Sequence, residues 1–177
     1  MSKGFAAVSM RDIAEALEVR PSSLYYHAPQ GKEQLFYEAT LRSLQRHTEE
    51  MKRVMEQDAP DFRAQFRALA HWSRANLDID MVRMVQTDLR EVSPEYQQLI
   101  LEAFSQWMMQ PLIELIRKNQ AKGKVKPIMP EVLAGALLAV ATWTNSLNAD
   151  AQTEVVSALA TDQTISMLLD GCWIGEG

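Results

Sequence analysis

Residues 9–36 read SMRDIAEALEVRPSSLYYHAPQGKEQLF, and the order of residue types in this stretch decides how the rest of the chain is read. Ser9 followed three places later by Asp12 is a capping box, in which the serine hydroxyl accepts from the backbone amide at 12 and so starts a helix. Met10, Ile13, Ala14 and Leu17 then fall on one face of that helix. Glu18, Val19 and Arg20 break it. Pro21 suits the first position of the next helix, where the missing N–H has no intrahelical partner to lose. On this second helix only Leu24 and Ala28 share an inward face, while Ser22 and Tyr26 point the opposite way and Ser23, Tyr25 and His27 lie on the flanks. Arg20 stands at its leading end and Lys32 just past its trailing end. Small hydroxyls let a backbone approach base edges, and tyrosine, histidine and lysine side chains beside them can reach phosphates. The pattern suits a helix laid into the DNA major groove.

Outward from this stretch the chain reads as helix throughout, with apolar residues at steps of three and four and no alternating β-branched run. A long helix is expected over 32–58. Another should face a core through Phe62, Phe66, Leu69, Ala70, Ser73 and Leu77, and a shorter one is expected over 81–90. Ser93-Pro94-Glu95 combines an N-cap, a proline at the first helical position and an early acid, and opens a helix carrying Ile100, Ala103, Phe104, Trp107, Met108, Leu112 and Ile116, with Pro111 set to kink it. The last two helices are expected over 130–148 and 152–169. The first of these is apolar nearly all round, which calls for burial on two sides, one of them against a second subunit. The fold class is all-α.

Composition limits the functions. The chain has 177 residues, 47% of them hydrophobic, and 18 Lys+Arg against 23 Asp+Glu give a net charge of −5. A real core is possible, and any contact with nucleic acid must be local rather than spread over the surface. The single cysteine, Cys172, excludes an internal disulfide and fits a reducing cytoplasm. No apolar run is long enough to span a bilayer, so no membrane association is expected.

The stretch 9–36, with its "IA", its valine in the turn, its "LYYH" and the following "KE-L", resembles the helix-turn-helix signature of TetR-family transcriptional regulators. The resemblance implies that Arg11, Arg20, Pro21, Ser22, Ser23, Tyr25, Tyr26, His27 and Lys32 lie at or near operator DNA. It implies a DNA-binding domain over 1–44, a ligand-binding and dimerisation domain over 45–177, and last helices that pair with those of a partner in a four-helix bundle. Three departures bear on stability. The family has a full helix before the segment matching Gly4-Phe5, where only Met1, Ser2 and Lys3 stand, so Ile13, Leu17 and Leu24 are expected to lose cover and the reading unit to be loose. Ala28 replaces the usual Phe, and Arg20 the usual capping Ser or Thr.

Trp72, Phe104, Trp107, Met108 and Trp143 come from three helices and could line an apolar cavity for a small lipophilic effector, with Asn145, Gln86 or His71 as an orienting polar group. Each taken singly is equally what a plain core needs. His47 and Glu50 lie one turn apart, but two residues on a charged helix read as solvated side chains, and neither metal nor cofactor is expected. No base, nucleophile and orienting group can be paired by spacing, which argues against an enzyme. The expectation is a homodimeric, ligand-responsive repressor; the alternative is an N-terminally truncated dimerising and ligand-binding protein with weak or no DNA binding that acts through heterodimers.

Overall fold

The computed structural model describes residues 4–56, 61–76, 87–146 and 151–172, and its regular elements are helices. A 3-10 turn, Phe5–Ala7, leads into α1 (Met10–Ala16) and α2 (Pro21–His27). The capping box is present as expected: the Asp12 amide donates to Ser9 Oγ, and the Ser9 amide donates to the Asp12 carboxylate at 2.8 Å. Then come α3 (Lys32–Glu56), α4 (Phe62–Asn76), a 3-10 turn at Asp88–Glu91, α5 (Pro94–Phe104), a π-helical turn at Ser105–Met109, α6 (Gln110–Ala121), α7 (Pro130–Ser146) and α8 (Ala151–Cys172). Most of the helix expected over 81–90 lies outside the described residues, as does Leu77. The boundary expected between residues 44 and 45 falls inside α3, which runs through it unbroken and joins the two parts of the molecule.

Positive φ marks two of the joints. Gly31, at φ 89°, lets the chain turn from α2 into α3, and Gly123, at φ 70°, closes α6 with the amide of Lys124 donating to Asn119 O.

The main core lies between α3, α4, α6, α7 and α8. Phe62, Phe66, Leu69 and Ala70 of α4 pack there with Leu112, Ile113 and Ile116 of α6, Leu133, Ala134 and Leu137 of α7, and Ile165 and Leu169 of α8. At roughly 1.5–3 kcal/mol for each large apolar side chain buried, this cluster is the principal source of stability. On the outer side α4 is stitched to α8 by Arg63–Asp170, by Arg67 to Ser166 Oγ at 2.9 Å and by His71–Asp162 at 3.0 Å. These pairs are partly exposed and set register more than they add stability. Opposite the core, α7 and α8 leave apolar side chains in solvent: Val132 and Trp143 on one, Leu159 and Met167 on the other, Met167 being 75% exposed.

The reading unit has its own small core of Met10, Ala14 and Leu24, with Ile13 and Leu35 packed against it. The expected loss of cover is therefore uneven. Leu24 and Ala28 are buried, whereas Leu17 is 59% exposed and lines a groove of about 380 Å³ with Phe5, Val8, Ile13, Leu35 and Phe36. Leu24 escapes exposure because it packs with Met10 and Ala14 of α1 and with Leu35 at the start of α3, and Ala28 is fully buried.

Two further differences from the sequence reading come from partners in three dimensions. Lys32, expected near DNA, is engaged within the chain: its ammonium donates to Phe5 O at 2.8 Å and Val8 O at 2.9 Å and lies 4.1 Å from the centre of the Phe5 ring. Two carbonyls at the end of a 3-10 turn and an aromatic face together form a better seat for a cation than open solvent does. Ser93 occupies the N-cap of α5 but makes no side-chain cap. Its hydroxyl donates instead to Glu33 Oε2 at 2.6 Å, and its amide to Glu33 Oε1 at 3.0 Å.

Candidate nucleic-acid interface and effector cavity

The local chemistry of α2 places its side chains as the helical spacing requires. Arg20 makes no side-chain cap, Pro21 fills the first turn, and the Ser23 amide donates to Arg20 O at 2.9 Å. Leu24 alone of the helix turns inward. Pro21, Ser22, Ser23, Tyr25, Tyr26 and His27 are exposed, with Tyr26 at 84%. The Tyr26 and His27 rings meet edge to face at 5.4 Å, which stiffens both without burying either. Arg11 and Arg20 are exposed on the two sides of the turn. Eight of the nine residues proposed for DNA are exposed, and the ninth, Lys32, is bonded within the chain.

The reading unit is anchored to the larger domain by a set of polar contacts that sequence spacing does not announce. The Phe5 amide donates to Asp88 Oδ1 at 3.0 Å, and Asp88 is itself buried. Glu33 takes both donors of Ser93, as described above. Tyr96 donates its hydroxyl to Gln30 Oε1, and its ring packs 5.9 Å from that of Tyr37. Partial burial, and then the carboxylates of Glu95, Glu33 and Glu38, hold the Tyr96 phenol above its ordinary value, so it remains a donor at neutral pH. Leu89 and Ile100 pack beneath Phe36 and Tyr37 in this seam.

In the larger domain a cavity of about 20 Å³ is lined by Met51, Phe66, Leu69, Ala70, Ser73, Met108, Leu112, Leu137 and Leu138. Of the expected effector residues, Met108 is in this lining. Trp72, Phe104 and Trp107 stand one layer away, packed on Leu44, Ala103 and Met108. Trp143 is not among the lining residues and is half exposed on α7, whose buried core residues are Leu133, Ala134 and Leu137 among those described. Gln86 and the Asn145 side chain lie outside the described residues. His47, expected to be solvated on a charged helix, is instead buried, with its ring 6.1 Å from that of Trp72. Among the described residues no group of His, Cys, Asp and Glu could hold a metal ion, and no helix is long and apolar enough to cross a membrane.

Two short helices, the second presenting a polar exposed face, mounted on a larger helical domain define a DNA-binding protein of the helix-turn-helix class. Residues 1–39 match the family described as bacterial regulatory proteins, tetR family. Solved structures share the fold over nearly the whole chain. A putative TetR-family transcriptional regulator from Mesorhizobium loti is 17% identical, with 97% of this chain and 90% of that one covered at a TM-score of 0.76. The transcriptional regulator FadR from Bacillus subtilis, solved with stearoyl-CoA, is 15% identical over 95% and 90% of the two chains, also at 0.76. AibR, solved with isovaleryl coenzyme A and operator DNA, is 21% identical over 92% and 88%, at 0.65. No curated protein matches the chain.

The exposed surface gives two expected results. Tyr26→Ala should weaken binding to the best operator about tenfold or more, the scale of a lost base or backbone contact, with an unchanged thermal midpoint. Lys32→Met should behave differently. It removes two charge-assisted bonds that pin residues 5–8, so it should lower stability by about 1 kcal/mol and speed amide exchange there. A plot of log affinity against log salt should keep its parent slope if the ammonium stays on these two carbonyls when DNA binds.

Proposed function

We propose that the protein is an operator-binding repressor, homodimeric and cytoplasmic, that releases DNA when a small apolar effector enters the larger domain. The observation that carries this reading is the pairing of an exposed polar α2 with a nearly all-apolar cavity in the same chain, joined through α3 and the Glu33–Ser93 contact. An effector suited to this lining is a flexible aliphatic or weakly polar molecule. It would contact Met51, Phe66 and Met108, with Trp72, Phe104 and Trp107 in the layer behind them. The complexes of FadR with stearoyl-CoA and of AibR with isovaleryl coenzyme A support acyl chains as the first class to try. The apolar side chains that α7 and α8 leave in solvent support a dimer in which these helices pair with their copies, which would set two reading units on one duplex. Residues 1–44 act as the reading domain in this scheme and 45–177 as the sensing and dimerising domain.

The test is selection of random duplex DNA by the purified protein, followed by titration of the enriched duplex with fatty acyl-CoA esters of graded chain length. The expected result is an inverted repeat with half-sites about one helical turn or a multiple of it apart, released by at least one ester. Failure to enrich any sequence would refute the operator reading; enrichment without release by any apolar ligand would refute the effector.

A further inference from the structure

The rod from Pro94 to Ala121 is the longest helical path in the larger domain, and it is interrupted at one place. At Ser105–Met109 the backbone opens into a π turn, where the amide of Gln110 reaches back five residues to Ser105 O. The cause is in the sequence. Pro111 has no N–H, and in an α-helix its ring would collide with the carbonyl four residues earlier, that of Trp107. The wider turn relieves the collision, and Pro111 can give that carbonyl no amide of its own. Thr48 of α3 supplies a donor, its Oγ1 donating to Trp107 O. The same oxygen lies 2.8 Å from Leu44 O in its own helix, and a hydroxyl has one proton to give. Thr48 is 1% exposed, so the choice is between these two carbonyls with no solvent competing.

The ends of the rod give this choice a consequence. Met108, within the π turn, lines the cavity described above, and about 20 Å³ admits a single water. A larger occupant has to displace lining side chains, and Met108 is the one carried on the irregular turn. Some fifteen residues earlier, about 22 Å along the rod, Ser93 is fixed to Glu33 of α3 beside the reading unit. π turns inserted in α-helices are recurrent at functional sites, because an inserted residue can be absorbed or passed along with little change elsewhere.

We propose that Thr48 and the π turn at 105–109 form a switchable joint between cavity and reading unit. With the hydroxyl on Trp107 O the joint is held, and α5 keeps Ser93 on Glu33. With the hydroxyl on Leu44 O the joint is released, α5 pivots, and the Ser93–Glu33 contact is disturbed. This deepens the regulator reading above and rests on it only for the claim that an effector drives the change.

The joint can be tested without effector or DNA, so its failure is separable from failure of that reading. Backbone amide exchange would be followed in the full chain for the parent, Thr48→Val, Pro111→Ala and the double variant. Thr48→Val keeps the shape and removes the proton. Exchange should rise about fivefold, the scale of one typical hydrogen bond, from Ser93 through Met109, and change less than twofold (~0.4 kcal/mol) in α4 and α6. Pro111→Ala restores a donor for Trp107 O, so exchange at 105–110 should slow, and adding Thr48→Val to it should then have little effect. A Thr48→Val response confined to the neighbours of 48, a uniform rise over all helices, or additive effects in the double variant would each overturn the proposal.

Discussion

The double variant Leu159→Lys, Met167→Lys is expected to sediment as a monomer at micromolar concentration where the parent sediments as a dimer. Both side chains are exposed in the single chain and lie two helical turns apart on α8, with the exposed Gln163 between them. Neither touches the main core, whose contacts on α8 are Ile165 and Leu169. Two ammonium groups placed without partners in a paired face cost several kcal/mol each, more than one interface can absorb, while an isolated chain keeps them in water. The helical content and the main thermal transition should therefore survive as the assembly is lost. The effect on DNA is larger still. Two reading units tethered in one particle bind their second half-site at millimolar effective concentration, so a monomer should lose about a hundredfold or more in apparent operator affinity. A parent that is already monomeric, or a variant that remains dimeric, would place the interface elsewhere.

How far the sequence carried this picture depended on whether a residue's role was local. Ser9 and Asp12 are three residues apart and their capping box is a property of one turn, so it was legible and is present. The inward face of α4, Phe62 through Ser73, follows from a 3.6-residue period and was legible for the same reason. Leu24 and Ala28 were separable from Tyr25 and Tyr26 by the same geometry. Lys32 was not legible, because its ammonium is satisfied by carbonyls at positions 5 and 8 and by the Phe5 ring, which come together only after α1 and α3 pack. Glu33 and Ser93 are 60 residues apart, and nothing in either neighbourhood signals the other. Trp143 was misplaced by a different route. A helix apolar on all sides shows that two faces are covered without showing which belongs to the core, and Trp143 is on the outer one. Pro111 announced a kink, yet the extra residue of the π turn shows only as a five-residue step between the buried Ala103 and Met108, which the apolar Phe104 and Trp107 between them conceal in the sequence. Where the sequence was silent, the missing information was the identity of a neighbour from another helix.

The other large effect is expected at Phe66, whose truncation joins the stability of the protein to the proposed function of its cavity. Phe66 is 1% exposed, packs 5.2 Å from the Phe62 ring and lines the cavity beside Met51, Met108 and Leu112. Replacing a buried phenylalanine by alanine removes its transfer energy and leaves a void that close-packed neighbours fill only in part, at about 3–5 kcal/mol. For a chain of this length each kcal/mol moves the thermal midpoint by about 2–4 °C, so Phe66→Ala should melt roughly 6–20 °C below the parent. The void would be apolar, and dry apolar voids of this kind take up small hydrophobic molecules. If the cavity is the effector site, an acyl compound that binds the parent should find more room in the variant and raise its midpoint by more degrees than it raises the parent's, since stabilisation follows RT ln(1 + [L]/Kd). Truncating Phe36, which packs on Leu89 and Ile100 at the seam with the reading unit, should destabilise the protein without this gain. Equal ligand-induced shifts in the Phe66 and Phe36 variants would show that the compound binds somewhere other than the cavity between α3, α4 and the π turn.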